Sequence, residues 1–466
     1  MGYWDMMLGE FASGFDIHVS SQGWGKLFTP NLSASQSFRT LEMKFSIFSL
    51  SAVVALAVLV APSHALPAPS DAAASFDNHR VVRIQVKNEA ELQSLNANEE
   101  ALHFDYFTHN KVVGGHIDVR IPPESFPKFQ ALNLEYTTLI DNLQSLLDQE
   151  KQEDQKYQKV FASKVKNSKV NKAGIVGADV YAADDTWFQG YHSYADHQAW
   201  LSTQISNNPG KASSISAGNS YQGRSQAGIK IGSGPNHVVL HGTQHAREWV
   251  TTMVVEYLIS QLLSGTDSRV AGYLTKYTFH IIPIMNPDGF VITQTSNRMH
   301  RKNAQSNGGC LGTDSSSTNP CADDYMGPKA FSSPEATNIA NYLKSLPKVV
   351  SYIDFHSYSQ LWMVPYGYSG TRPATYSYMN GLAVKAAAAL KAVYGTRFTT
   401  GDIYNTIYPA SGNSADYAYS IGVAAPFAVE LRDTGRYGFS LPANQILPSS
   451  IETWAAFTAV LDNIQA

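Results

Sequence analysis

His241-Gly-Thr-Gln-His245-Ala-Arg247-Glu248-Trp249 follows the apolar run Val238, Val239, Leu240. The run reads as a buried strand. Residues 250–263, with Val254, Val255, Leu258 and Leu262 at helical spacing, read as a helix. His245 and Glu248 then lie three residues apart on a strand-to-helix turn, a spacing that lets an imidazole and a carboxylate converge on one cation. Such turns sit outside the carboxyl ends of the strands, where open α/β sheets bind ligands. A lone His-x-x-Glu fits a solvated first helical turn equally well, so a metal site needs partners elsewhere in the chain.

Two segments supply them. Residues 349–358, Val-Val-Ser-Tyr-Ile-Asp-Phe-His-Ser-Tyr, are again an apolar run that ends in a histidine, His356. A third run, Pro426-Phe-Ala-Val, ends in Glu430 and is followed by Leu431-Arg-Asp-Thr-Gly435. Two His and one Glu leave the fourth position of a tetrahedral zinc open for water, the pattern of a catalytic site rather than a closed structural one.

Strand-like runs over 237–241, 278–284, 349–355 and 427–431 alternate with helical patterns over 334–346, 379–394 and 451–464. That alternation predicts an α/β fold, a mixed, mostly parallel sheet with helices on both faces. Ahead of it come a strand over 81–86, a helix over 89–100, strands over 101–107 and 116–121, and a helix over 125–132, the order of a small α+β sandwich with an antiparallel sheet. Leu139, Ile140, Leu143, Leu146 and Leu147 mark one face of a long helix. That helix enters the charged stretch 149–172, read either as a solvated linker or as a connecting helix with a protease-sensitive end near Lys164, Lys166, Lys169 or Lys172.

A chain of 466 residues has ample material for a core and for more than one domain. The net charge of −4, with basic residues dispersed, gives no electrostatic case for nucleic acid. Lys44, the uncharged stretch 45–61 and Ser63-His-Ala65 make a secretory signal. It starts at Met43 rather than Met1, so residues 1–42 read as an upstream extension. As a membrane anchor the same stretch is slightly short. The sequon at Asn31 lies upstream of the signal. Cys310 and Cys321 would close one disulfide around a loop in a secreted chain and would be free thiols in a cytosolic one.

The segments His245-Ala-Arg-Glu248-Trp, Asn297-Arg-Met-His-Arg301-Lys, His356-Ser-Tyr-Ser-Gln and Glu430-Leu-Arg-Asp-Thr-Gly-Arg436 occur in an order that resembles the zinc metallocarboxypeptidases of the A/B family, in particular the secreted fungal procarboxypeptidases A. The resemblance runs from about Tyr181 to the end, with the family's pro-segment before it. It implies a secreted zymogen divided into an extension (1–42), a signal peptide (43–65), an activation pro-segment (66–172) and a catalytic domain (173–466). It implies one Zn2+ per chain on His245, Glu248 and His356, the ligand set known for carboxypeptidase A. Asp314 would hold the His245 ring from behind. Glu430 would be the general base and Arg301 the oxyanion stabiliser. Arg247 would contact substrate upstream of the scissile bond, and Tyr408 would cap the substrate carboxylate. Ile403, Ile407, Ala410 and Ala415 would line the pocket for the terminal side chain. Ala415 stands where basic-specific relatives carry an acid, so the expected substrates are peptides with apolar or aromatic C-termini. The expected partners are these peptides and an activating protease, for a monomer with no stable membrane association.

Each role has a plainer counterpart: a structural ion pair for Glu430, a basic loop for Arg298, Arg301 and Lys302, and exposed loop residues for Tyr408 and Asp314. Three departures stand out. His300 replaces a tryptophan, Asn413 replaces a glycine, and the Asn-Arg pair that clamps a substrate carboxylate in the family is missing from Gly312-Thr-Asp-Ser-Ser-Ser-Thr-Asn-Pro320, which reads either as a weakened copy or as a piece of exon lost from the gene reading, with the clean joins on both sides favouring the second. Two alternative readings follow: a catalytically weakened, peptide-binding relative, and a zinc deacylase of the aspartoacylase kind, which shares the His-x-x-Glu…His pattern.

Overall fold

The small sheet buries one face of its strands, whereas the central strands of the large sheet are buried almost continuously. The computed structural model describes residues 73–108, 111–167, 186–305, 323 and 325–465. The predicted signal, Cys310, Cys321, Asp314, the departure at 312–320, Lys169 and Lys172 lie outside these residues. Strand β1 (Arg80–Gln85) buries Val82 and Ile84 on one face, as period two requires. It pairs antiparallel with β3 (His116–Ile121) and β4 (Tyr136–Ile140), while β2 (Asp105–Tyr106) flanks β3, giving the order β2-β3-β1-β4. Helices Glu89–Asn98 and Phe126–Gln130 add Leu95, Phe126 and Phe129 to the cluster formed by Val82, Ile84, Ile117 and Val119.

Two boundaries differ from the sequence reading. Leu139 and Ile140 end strand β4 instead of starting the long helix, which spans Leu143–Asn167. The β4 strand reads Tyr-Thr-Thr-Leu-Ile, a β-branched and aromatic run that suits a pleated surface, and its last two residues mimic a helical stripe. The strand over 101–107 shrinks to two residues because His103 takes a positive φ of 51° in a turn.

The second sheet has eight strands: β5 (Ala212–Asn219), β6 (Ser225–Ile231), β7 (Asn236–His241), β8 (Tyr277–Ile282), β9 (Val349–His356), β10 (Leu361–Val364), β11 (Thr399–Asp402) and β12 (Ala425–Glu430). Their order is β11-β10-β12-β9-β7-β8-β6-β5. The central pairs β12/β9, β9/β7 and β7/β8 and the edge pair β10/β11 are parallel, and the remaining three are antiparallel. Val238 and Leu240 face the helices Trp249–Ser264 and Ile446–Asn463, whereas Val239 packs with the helix Pro334–Ser345 on the other side. Helices thus cover both faces, as the alternation of patterns predicted. The helix Trp249–Ser264 is mostly apolar and is buried along nearly its whole length, and its buried Glu256 is paired with Trp187 and His197. Gly265, at φ 66°, ends it in the left-handed conformation.

Candidate metal centre and the cleft beside it

The turn after β7 is fixed by contacts that leave little freedom. A Cβ on Gly242 would come within 2.9 Å of the Thr251 backbone, so the chain can pass the helix only as glycine. The Thr251 hydroxyl accepts from the Thr243 amide at 2.8 Å and donates to the Glu248 carbonyl at 2.7 Å. The Ala246 amide donates to the Arg301 carbonyl at 2.9 Å, which draws the 297–302 loop to the same turn.

Parallel pairing does the rest. In the β12/β9 register Glu430 stands directly beside His356, so two strand ends deliver a carboxylate and an imidazole side by side. His245, Glu248 and His356 are all buried, and one ligand atom from each lies within 4.8 Å of the others. His245 Nδ1 is 2.7 Å from Glu248 Oε1. His356 Nδ1 is 3.1 Å from His245 Nδ1 and 3.2 Å from Glu248 Oε2. Two imidazole nitrogens facing each other at that distance, with a carboxylate between them, are a donor set that suits a divalent cation. Burial lowers the His245 pKa and the Arg301 guanidinium lowers it further, whereas at His356 burial is outweighed by the carboxylates of Asp354 and Glu248, which raise it. Burial alone would raise Glu248, but His245 and His356 hold it well below the usual carboxylate range.

The other predicted residues surround this cluster. Arg301 is buried, with Nη1 3.6 Å from Glu248 Oε1. Tyr408, Ile403, Ile407 and Ala410 line a cavity that also opens on His356 and Glu430. Ala415 packs in the wall behind it, in one apolar cluster with Ile403, Tyr408 and Ala410. Asn413 lines the cavity as well, but its amide is occupied: Oδ1 caps the helix Ser414–Ser420 by accepting from the Asp416 amide at 2.8 Å, and Nδ2 donates to the Ala410 carbonyl at 2.8 Å.

Arg247 points away from this cavity and into the small N-terminal sandwich. Its guanidinium donates to Asp105 Oδ1 at 3.0 Å and to the Tyr106 carbonyl at 2.9 Å, and lies 4.2 Å above the Phe439 ring. Asp323 stands 3.5 Å from the same guanidinium. Tyr358, two residues after His356, donates to Asp118 Oδ2 of β3 at 2.9 Å. On the long helix, Glu150 takes Arg298 in a two-point ion pair of 2.6 and 3.0 Å. The small sandwich and the long helix are therefore pinned to Arg247 and Tyr358, which neighbour metal ligands in sequence, and to Arg298 of the 297–302 loop. These anchors escaped the sequence reading, since Asp105 and Glu150 look like ordinary surface acids. Asp354 and Met363 of the cavity escaped it too. Only the position of Asp354, two residues before His356 on one strand, hinted at a shared face.

Residues 197–456 match the pattern of the zinc carboxypeptidase family, and residues 82–150 match the carboxypeptidase activation peptide. A metallocarboxypeptidase A-like protein of Trichophyton verrucosum is 36% identical over 428 residues, covering 86% of this chain and 96% of that protein. Carboxypeptidase A2 of Rattus norvegicus is 34% identical over 418 residues, covering 84% of this chain and 95% of that one. The crystal structure of carboxypeptidase A from Helicoverpa armigera superposes with a TM-score of 0.70 at 24% identity, over 83% of this chain and 98% of that chain. With the metal-ligand triad, the doubly covered mixed sheet and the activation peptide in front of it, the chain belongs to the zinc carboxypeptidase family, as a metallocarboxypeptidase made with its pro-segment.

Proposed function

We propose that the chain is a secreted exopeptidase that removes apolar or aromatic C-terminal residues once an activating protease has cut its pro-segment (66–172) from its catalytic domain (173–466), and that it acts as a monomer. The observation that carries the preference is the pocket: Ile403, Ile407, Ala410, Met363 and Ala428 line it, with Ala415 behind. The two carboxylates that also border the cavity are engaged elsewhere, Asp354 beside the imidazoles of His356 and His241 and Glu430 in proton transfer, so a lysine or arginine side chain would be desolvated against apolar walls without a charge of its own to pair with.

His245, Glu248 and His356 would hold the zinc ion, which when bound polarises the scissile carbonyl and acidifies the attacking water. Glu430 takes a proton from that water and passes it to the leaving amine. Arg301, beside the metal ligands, donates to the oxyanion as it develops. Tyr408 closes over the terminal residue, and Arg247 binds the peptide upstream once Asp105 leaves it. The uncharged stretch 45–61 and Ala65 support secretion from a start at Met43. Expressed from Met43 in a secretory host and nicked by limited proteolysis, the chain is expected in the medium. There it should release C-terminal phenylalanine with a kcat/KM at least about tenfold above that for arginine, the value of a few apolar contacts in a pocket. Activity confined to the cells overturns the address, and a preference for arginine overturns the pocket reading.

Release of the pro-segment should depend on pH. Burial, and then Glu150, push Asp154 on the connecting helix up to about 7. Burial, and then Asp105, push Asp323 up to about 7. Both carboxyls ordinarily titrate near 3.8. The docked state therefore holds protons that the separated parts lack above about pH 4. This contribution to docking is complete at acid pH and is lost as pH rises through about 7. Exchange of the amides in the helix Leu143–Asn167 is expected to quicken between pH 6 and pH 8 beyond the intrinsic pH effect. Asp154→Asn should flatten part of that rise; an unchanged slope in this variant refutes the linkage.

A further inference from the structure

Asp354 does no chemistry in the reaction above, yet it is among the most buried carboxylates of the sheet, with 1% of its surface exposed. It precedes His356 by two residues on β9, so both side chains leave the same face. Cross-strand pairing sets His241 of β7 opposite it. Asp354 Oδ1 lies at ion-pair distance from His356 Nε2 (3.1 Å) and from His241 Nδ1 (3.4 Å), with neither contact in hydrogen-bond geometry, and Oδ2 accepts from the Ser414 hydroxyl. His241 is anchored in turn through its Nε2 by the Tyr352 hydroxyl.

We propose that Asp354 is a positioning residue for the metal centre: its carboxylate holds the outer nitrogen of His356 and so aims Nδ1 of that ring at the ion. An imidazole has two nitrogens and can turn about two side-chain bonds, so a ligand histidine stays ready only when its second nitrogen is tied. The geometry shows that division of labour. Nδ1 faces His245 and Glu248 at 3.1 and 3.2 Å, while Nε2 faces Asp354. A carboxylate there also makes the ring a stronger donor than a neutral acceptor would. The hydrogen bond from Ser414 keeps Asp354 itself from turning. Because Asp354 also forms part of the wall of the terminal side-chain pocket, it ties that pocket to the metal ligand. Its charge is committed to the imidazoles, which is why an acid in this wall does not create a basic-specific pocket.

The inference rests on the reading of His356 as a zinc ligand, and the test separates the two. Zinc affinity of the full-length proenzyme would be measured by competition with a chromophoric chelator, for wild type, His356→Ala, Asp354→Ala and Asp354→Asn. The thermal stability of each metal-free protein would be read in parallel. Wild type should bind one zinc ion and His356→Ala should lose it; failure of either removes the ligand reading itself. With those in place, Asp354→Ala should bind zinc about 10- to 100-fold more weakly. Asp354→Asn, of the same volume and with an acceptor oxygen kept, should recover part of the loss. Affinity within twofold of wild type for folded Asp354→Ala and Asp354→Asn overturns the proposal. So does a loss of metal-free stability with zinc affinity unchanged, which would mark a purely structural residue. If Asp354→Ala does not fold, the Asn variant and Ser414→Ala decide: both should weaken zinc binding, and wild-type affinity in both refutes the role.

Discussion

Replacing Glu430 with glutamine in the activated enzyme should lower kcat by about 10³-fold, within the range expected when a positioned general base is removed. The zinc content should stay at one ion per chain. The side chain stands next to His356 in the β12/β9 register but outside the cluster of His245, Glu248 and His356, so its loss leaves the ligand atoms in place. Glutamine keeps the shape and one acceptor oxygen but cannot take a proton from water at neutral pH. The effect should fall on kcat more than on KM, because proton transfer belongs to the transition state and binding of the peptide does not. The check is steady-state kinetics on a peptide ending in phenylalanine, paired with metal analysis of the same sample. A rate within tenfold of wild type would discard the proton-transfer role. Loss of zinc in the variant would instead move Glu430 into the metal's coordination sphere.

The central sheet was legible in the sequence because its parallel strands are buried on both faces, and burial writes continuous apolar runs such as Val238-Val-Leu240 and Val349-Val. The metal ligands were legible because they end those runs, where connections to helices begin. β5 and β6 were missed for the opposite reason. β5 reads Ala-Ser-Ser-Ile-Ser-Ala-Gly-Asn at the sheet edge, half exposed, with little apolar signal to separate it from a loop. Asp354 is hidden inside an otherwise apolar strand that ends in a histidine, although period two already puts the two side chains on one face. Contacts such as Arg247–Asp105, 142 residues apart, depend on how two separately patterned units meet, and no local pattern records that.

The activated enzyme should show little preference for a free terminal carboxylate over an amide. Relatives hold that carboxylate with an Asn-Arg pair between the positions of Cys310 and Cys321, and this chain has Ser315-Ser-Ser-Thr-Asn319 there. A two-point contact between guanidinium and carboxylate is rigid and charged, and serine hydroxyls reproduce neither property. A hydrogen bond to a charged group contributes about 1.5–3 kcal/mol, which corresponds to roughly 10- to 150-fold in kcat/KM. The remaining described cations near the site have other work even after the pro-segment and its Glu150 and Asp105 have left: Arg301 borders Glu248, Arg298 donates to the Arg247 and Phe439 carbonyls and stacks 3.7 Å over Trp249, and Arg247 is assigned to the peptide upstream of the scissile bond. The measurement is kcat/KM on one peptide ending in phenylalanine and on its amide. A ratio below about tenfold is the result expected if the clamp is gone, since Tyr408 alone supplies one neutral hydrogen bond of about 1 kcal/mol. A ratio of 10³ or more would show that a free acid is still selected strongly, and would require a cation that the sequence between the two cysteines does not contain. With Glu430, Arg301 and the metal ligands all in place, the loss would fall on how a chain end is recognised and leave bond cleavage itself intact.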